Sequence, residues 1–171
     1  MITTKLKIRI YGDRCLRKKS FPVKIVGPGE RLLIASMVQT MHESKGVGLA
    51  APQLGINEQI IVVDIGEGPV ALINPRILKK RGAEIMEEGC LSIPGVSVQV
   101  KRPKKIVVRY LDENNKPVRR EYQDLLARVI MHETDHFHGR LITDYASWRE
   151  KLQFRKQLKA LRAQSKNFKE S

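Results

Sequence analysis

The chain has 171 residues, 42% of them apolar, and a formal net charge of +14 at pH 7. The apolar share is enough for a hydrophobic core and argues against a disordered polyelectrolyte, while two cysteines alone, Cys15 and Cys90, rule out a disulfide framework. No run approaches the ~18 apolar residues of a membrane span and the Met1 to Lys7 stretch lacks the apolar segment of a secretory signal, so a cytoplasmic protein is expected, its charge reading equally as a solvated surface or as suited to anionic surroundings such as RNA, ribosomes or membrane headgroups.

The segment from Glu30 to Ser44 carries Leu32, Leu33, Met37, Val38 and Met41 at helical spacing and predicts an amphipathic scaffold helix. Gly46 to Gly55, Gly-Val-Gly-Leu-Ala-Ala-Pro-Gln-Leu-Gly, reads as a small-residue loop whose backbone can approach a ligand. Branched residues from Ile60 to Ile65 and from Val70 to Ile73, parted by Gly66-Glu67-Gly68-Pro69, predict a hairpin or two adjacent strands. Ile77 to Glu87 is expected to be extended, Val96 to Val100 alternates apolar and polar residues, and Ile106 to Leu111 joins Val118 to Tyr122 through the turn-forming residues Asp112 to Pro117. A helix follows from Asp124, its expected N-cap, to Phe137, stopped by Gly139, with Leu125, Leu126, Val129 and Ile130 on the buried face. A last amphipathic helix is expected from Ala146 to Ser165, its apolar face made by Trp148, Leu152, Leu158 and Leu161. From Arg149 to Ser171 there are eight Lys/Arg against two Glu. Strands that precede one long helix, without βαβ alternation, predict an α+β fold with mostly antiparallel strands around that helix. The expectation is a single catalytic domain over 1–171, with 146–171 as a basic helix and tail.

In the central helix, His132-Glu133-Thr134-Asp135-His136 places two imidazoles about 40° apart on one face, so both can reach a single ion. Glu133 can reach a water on that ion, and such a pattern on a helix points to a bound transition metal. A third ligand is needed. The longer pattern H-E-x-x-H-x-x-G-x-x-H is matched at Gly139, but Ile142 stands where its last histidine would be. His138 is about 200° round the helix from His136 and is expected at the surface or behind the ligands, and His42 is expected to pack in the core or at the surface. Cys90, preceded by Gly89 and followed by Leu91-Ser92-Ile93-Pro94, is the best remaining ligand, because the bent, open backbone presents a thiolate. One sulfur and two nitrogens leave a fourth position for water.

Taken together, Gly46-Val47-Gly48-Leu49-Ala50-Ala51-Pro52-Gln53, Glu88-Gly89-Cys90-Leu91-Ser92 and His132-Glu133-Thr134-Asp135-His136 resemble the three signature motifs of the peptide deformylases, in that family's order. The resemblance also takes in Tyr11-Gly12-Asp13, Leu16-Arg17 and Pro22-Val23, and so nearly the whole chain apart from the basic tail. It implies a hydrolase that removes the formyl group from formylmethionine of nascent polypeptides and releases formate. By the same resemblance Cys90, His132 and His136 hold one ion, generally Fe2+, with Zn2+, Ni2+ or Co2+ as substitutes. A metal-bound hydroxide would attack the formyl carbon while Glu133 carries the proton to the departing nitrogen. The Gln53 amide and the Leu91 N–H would stabilise the oxyanion, and Gly48 and Gly89 would hydrogen-bond an extended peptide. Val47, Leu91 and Val129 would receive the methionine side chain, with Arg128 at the pocket mouth or on the surface. Glu88 and Arg102 would form an ion pair bracing the cysteine loop, and Asp135 would anchor its helix. The basic C-terminal helix resembles the family segment that docks near the ribosomal tunnel exit; no membrane or specific DNA contact is implied. The chain departs from the family pattern at Met131, where glutamine is frequent, and at Phe137-His138-Gly139, which replaces Leu-Asn-Gly. Neither change removes a ligand.

Two other readings use the same residues. A metallopeptidase would apply this chemistry to internal peptide bonds, and a noncatalytic basic module would bind ribosomal RNA or protein. Formate release without backbone cleavage separates the first, and metal content of the purified protein the second.

Overall fold

A computed structural model describes residues 6–166 of the chain, and the structural statements concern those residues. The first helix, α1 (Pro28–Glu43), starts on a proline, whose missing N–H is not needed in the first turn, and Glu30 reaches back to the Gly27 N–H at 2.7 Å. Seven strands follow: β1 (Gly48–Ala50), β2 (Ile60–Val63), β3 (Val70–Arg81), β4 (Glu84–Gly89), β5 (Ser97–Arg102), β6 (Lys105–Leu111) and β7 (Pro117–Gln123). They lead into α2 (Asp124–His136), α3 (Trp148–Gln153) and α4 (Arg155–Lys166). The strands form a five-stranded sheet in the order β1-β2-β3-β6-β7 and a separate β4-β5 pair, antiparallel throughout. The α+β expectation holds, and both expected hairpins are present as β2-β3 and β6-β7.

The large sheet is sandwiched. Ile60, Val62 and Ile73 pack with Met37 and Met41 of α1, while Ile61, Val63, Leu72, Ile106 and Val108 pack with Ala127, Val129 and Ile130 of α2. This explains why β2 reads as an unbroken apolar run: both of its faces are covered. A third cluster joins Val98 and Val100 of β5 to Leu16, Ile93, Leu141, Ile142 and Leu161. The metal-pattern helix α2 packs on the large sheet and reaches the small one through Arg128, which donates to the Glu84 and Val100 carbonyls.

Five expectations need correction. The Gly46 to Gly55 loop is instead the strand β1 at Gly48–Ala50 followed by a 3-10 turn at Ala51–Leu54. The extended segment Ile77 to Glu87 is two strands, because β3 ends at Arg81 and Gly82 turns the chain with φ 64°. Asp124 is not a side-chain cap: α2 has Gln123 at its N-cap, and Asp124 enters with φ 52° and its N–H on the Lys104 carbonyl at 2.7 Å. Leu125 is not on the buried face but 45% exposed at the edge of a cleft. The last helix is broken at Phe154 into α3 and α4, and its four apolar residues do not share one environment. Trp148 and Leu152 are 70% and 62% exposed, whereas Leu161 is buried and Leu158 packs beside it. The part of the expected basic tail beyond Lys166 lies outside the described residues.

Two glycines fix how the termini meet the core. A Cβ on Gly12 would lie 2.7 Å from the Arg162 Cα, so α4 can sit against the N-terminal segment only if that position is bare. Gly139 takes φ +66°, ending the α2 region as its sequence position suggests, and a Cβ there would lie 2.5 Å from the Arg17 carbonyl. Gly139→Ala combines left-handed strain with a backbone clash, so it should lower the unfolding free energy by about 1 to 3 kcal/mol or more. Denaturant titration measures this, and an unchanged midpoint would contradict the close approach.

Candidate active site

Cys90 directly follows β4, and His132 and His136 stand one helical turn apart on α2, so the sites of three side chains depend on how the β4-β5 pair docks on that helix. The Cys90 Sγ lies 3.6 Å from His136 Nε2, and the potential ligand atoms of Cys90, His132 and His136 are all within 4.8 Å of one another. The two imidazoles meet edge to face, with centroids 5.3 Å apart and an interplanar angle of 68°.

One carboxylate sets that docking. Glu88, 6% exposed, accepts from Arg102 Nε and its second terminal nitrogen at 3.0 Å each, from Arg128 at 2.7 Å, and from His132 Nδ1 at 3.0 Å. Arg102 continues to Asp135 at 2.6 Å, and Tyr145 O–H donates to the same Asp135 oxygen at 2.8 Å. Arg128, unresolved between pocket mouth and surface in the sequence, is buried beside the cleft. Besides Glu88 it donates to the Val100 and Glu84 carbonyls at 2.9 and 2.8 Å, tying both small strands to α2. Burial would raise the Glu88 carboxyl, but hydrogen bonds from His132 and Arg102, with the charge of both, hold it at about 2. Accepting from Nδ1, this carboxylate fixes the His132 tautomer and leaves Nε2 to face a ligand.

The donor set fits a divalent transition ion, since a soft sulfur and two imidazole nitrogens converge beside an open cleft. His136 is held neutral, its pKa pushed well below the usual value by burial first and by the charges of His132 and Arg102 next. For His132, burial favours the neutral ring, but hydrogen bonds to Cys90 and Glu88 outweigh it and raise the pKa well above the ordinary value. Glu133 is 4% exposed, and its Oε2 is buried without a hydrogen-bond partner among the described residues. Burial pushes its carboxyl up to about 7. A buried carboxylate oxygen left without a partner at this position is suited to a water that approaches the ion.

The remaining site residues border the same centre. Gln53 is 1% exposed; its Oε1 accepts from the Ala50 N–H at 2.8 Å, which turns Nε2 to within 3.2 Å of Ser92 Oγ and 3.5 Å of Cys90 Sγ. Ser92, which the sequence marks only as part of a motif, holds Gln53, and its carbonyl accepts from the Tyr11 N–H at 2.8 Å. A cavity of about 360 Å³ is lined by Val47, Gly48, Gly89, Leu91, Val129 and Glu133, joined by Leu125 and Arg128. Gly48 has no room for a side chain, because a Cβ would lie 2.5 Å from Glu133 Oε1 and 2.6 Å from Val129 Cγ1. His138 is exposed and outside the cluster, and His42 pairs with Asp64 at 2.9 Å on the surface.

Arg102→Leu leaves Glu88 with Arg128 and His132 only and Asp135 with the Tyr145 hydroxyl but no cation, and should cost about 3 to 5 kcal/mol of stability in denaturant titration, with loss of bound metal. The pH dependence has a definite sign. The folded Glu88 value of about 2 lies below its ordinary 4.5, so its stabilisation is complete above about pH 4.5 and drains away as pH falls toward 2. Glu88→Gln should remove that part of the acid dependence; identical curves for the variant and the parent would contradict the shared carboxylate.

Comparison with known proteins agrees with this geometry. The polypeptide deformylase family matches residues 5–152. A peptide deformylase of Thermoanaerobacter pseudethanolicus is 48% identical over 139 residues, 81% of this chain and 87% of that protein. The crystal structure of a peptide deformylase from Synechococcus elongatus in complex with actinonin superposes with a TM-score of 0.85 at 42% identity, covering 89% of this chain and 87% of that one. A Plasmodium falciparum peptide deformylase gives a TM-score of 0.90 at 32% identity over 94% and 98% of the two chains. With its motifs, its fold and its convergent thiol and imidazoles all in agreement, this chain belongs to the peptide deformylase family.

Proposed function

We propose that this chain is a cytoplasmic Fe2+-dependent hydrolase that removes the formyl group from N-formylmethionyl nascent peptides, using Cys90, His132 and His136 as ligands and residues 1–171 as one catalytic domain. The observation that carries the reading is the convergence of a thiol and two imidazoles beside the buried, unpartnered Glu133 at the floor of a cleft. A divalent ion held there would supply Lewis acidity, polarising the formyl carbonyl and making a nearby water more acidic. Iron is favoured by the family resemblance, and the same ligands suit Zn2+, Ni2+ or Co2+.

The chain's own groups do the rest. Glu133 Oε2 takes a proton from the attacking water and delivers it to the departing amine nitrogen. The oxygen that gains charge is met by two neutral donors. One is Gln53 Nε2, locked by its other end on Ala50; the other is the Leu91 N–H, which has no partner among the described residues. The cleft lies between β1, an edge strand of the large sheet, and β4, one of the two strands of the small sheet. An extended peptide can therefore pair with backbone at Gly48 on one side and Gly89 on the other. Val47, Leu91 and Val129 offer an apolar wall for methionine, with Leu125 at its edge.

Ribosome contact through the C-terminal helix is part of the proposal. On α4, Arg155, Lys156 and Lys159 are exposed, while Leu161 and Ser165 are buried against the body. Truncation would therefore open the third core cluster, and Lys156→Gln with Lys159→Gln is the cleaner probe of docking.

Two measurements test the chemistry. Anaerobically purified protein should release formate from formyl-Met-Ala-Ser and leave an unformylated peptide intact; backbone cleavage would support a peptidase instead. Gln53→Ala should lower kcat/KM by roughly a hundredfold or more, from about 2.7 to 4 kcal/mol of lost oxyanion stabilisation, with metal retained. A loss below about threefold would remove Gln53 from this role.

A further inference from the structure

The part of the large sheet beyond α1 carries an unusual arrangement of charge. Antiparallel register places Arg76 of β3 opposite Arg109 of β6, and Arg109 opposite Arg119 of β7. Directly opposed residues share a face, so three guanidiniums form one row across three strands, spaced ~4.8 Å apart at the backbone. The next rows on that face are Lys79, Val107 and Glu121, then Arg81, Lys105 and Gln123. The opposite face carries Ile106, Val108 and Tyr122 against α2, so the basic face points outward.

A solvated antiparallel sheet normally mixes charge signs across its outer face, because like charges directly opposite one another destabilise pairing. Here six of nine positions are cationic and one is anionic, and none of the six cations has a carboxylate partner among the described residues. All six are exposed. The two register shifts in β3, at Ile73/Arg76 and Ile77/Lys79, keep the arginine and lysine positions on this face despite their irregular spacing.

We propose that the outer face of β3, β6 and β7 docks the phosphate backbone of RNA, with Arg76, Arg109 and Arg119 as the central row. Arginine forks match phosphate oxygens, and a row of three spans the distance between neighbouring phosphates better than scattered lysines do. Against six cations the apolar groups here are only Val107 and Leu78, which is 43% exposed at the β3 bulge beside Lys79, a balance that favours a nucleic-acid backbone over a membrane. The choice of RNA rests on the reading that the substrate is a nascent peptide, made where ribosomal RNA is exposed. The surface is separate from α4 and from the catalytic cleft in its residues.

The test is fluorescence anisotropy of the full chain on a labelled RNA duplex of about 20 base pairs across roughly 50 to 200 mM salt. Arg76→Gln/Arg109→Gln/Arg119→Gln should weaken binding and make the plot of log K against log salt shallower by about three, one per lost phosphate contact. The corresponding triple lysine variant should keep most of the slope, and both should release formate from formyl-Met-Ala-Ser at the parent rate. A parental slope in the glutamine variant would overturn the proposal. So would tighter binding to phosphatidylserine vesicles than to RNA, or a slope lost only in Lys156→Gln/Lys159→Gln. Intact RNA binding by a chain that releases no formate would leave this surface standing and refute the deformylase reading.

Discussion

The structure depends on the carboxylate of Glu88. It is buried two residues before Cys90, and it is shared by Arg102, Arg128 and His132. An isolated ion in such a place would be costly, and removing one partner would leave its counter-charge stranded, so the group is stable only as a whole. The partners come from two elements: Arg102 ends β5, while Arg128 and His132 lie one turn apart on α2. The network therefore converts a short hairpin, with little core of its own, into a fixed support for a thiol. It also selects the imidazole nitrogen that faces that thiol, linking packing to coordination chemistry.

The local rules were readable where periodicity alone decides. An HExxH segment on a helix dictates that two imidazoles share a face, and the branched runs of β2 and β3 dictate strands. The pairing of Glu88 with Arg102 came from the motif resemblance, and its geometry is now explicit. Arg128 was not assignable, because its burial depends on which strand carbonyls the helix meets, a tertiary fact with no local signature. The break at Phe154 was also hidden: helical spacing puts Trp148, Leu152, Leu158 and Leu161 on one face, but of these four only Leu158 and Leu161 find a core. The capping expectation at Asp124 failed for a related reason, since β7 runs straight into α2 and a backbone bond to Lys104 takes the place of a side-chain cap.

The cleft and the basic sheet face are built from different strands. The cleft is bordered by β1 and β4, with Gly48 and Gly89 in its lining, where the proposed function seats an extended peptide. The far side of β3, β6 and β7 and the exposed side of α4 are each rich in cations. The family match ends at residue 152, before α4 begins, yet Gly12 and Leu161 show that this helix is integrated with the body. A basic terminal element that also closes a core cluster couples stability to whatever that charge binds.

The central claim is that one sulfur and two imidazole nitrogens meet at a single ion because Glu88 holds them there. X-ray absorption spectroscopy of the anaerobically purified protein tests it most directly. The account predicts one bound transition ion per chain with a single sulfur scatterer, two imidazole nitrogens and a light-atom ligand in the open position. A first shell without sulfur, or an ion that keeps the same shell after Cys90→Ala, would contradict it.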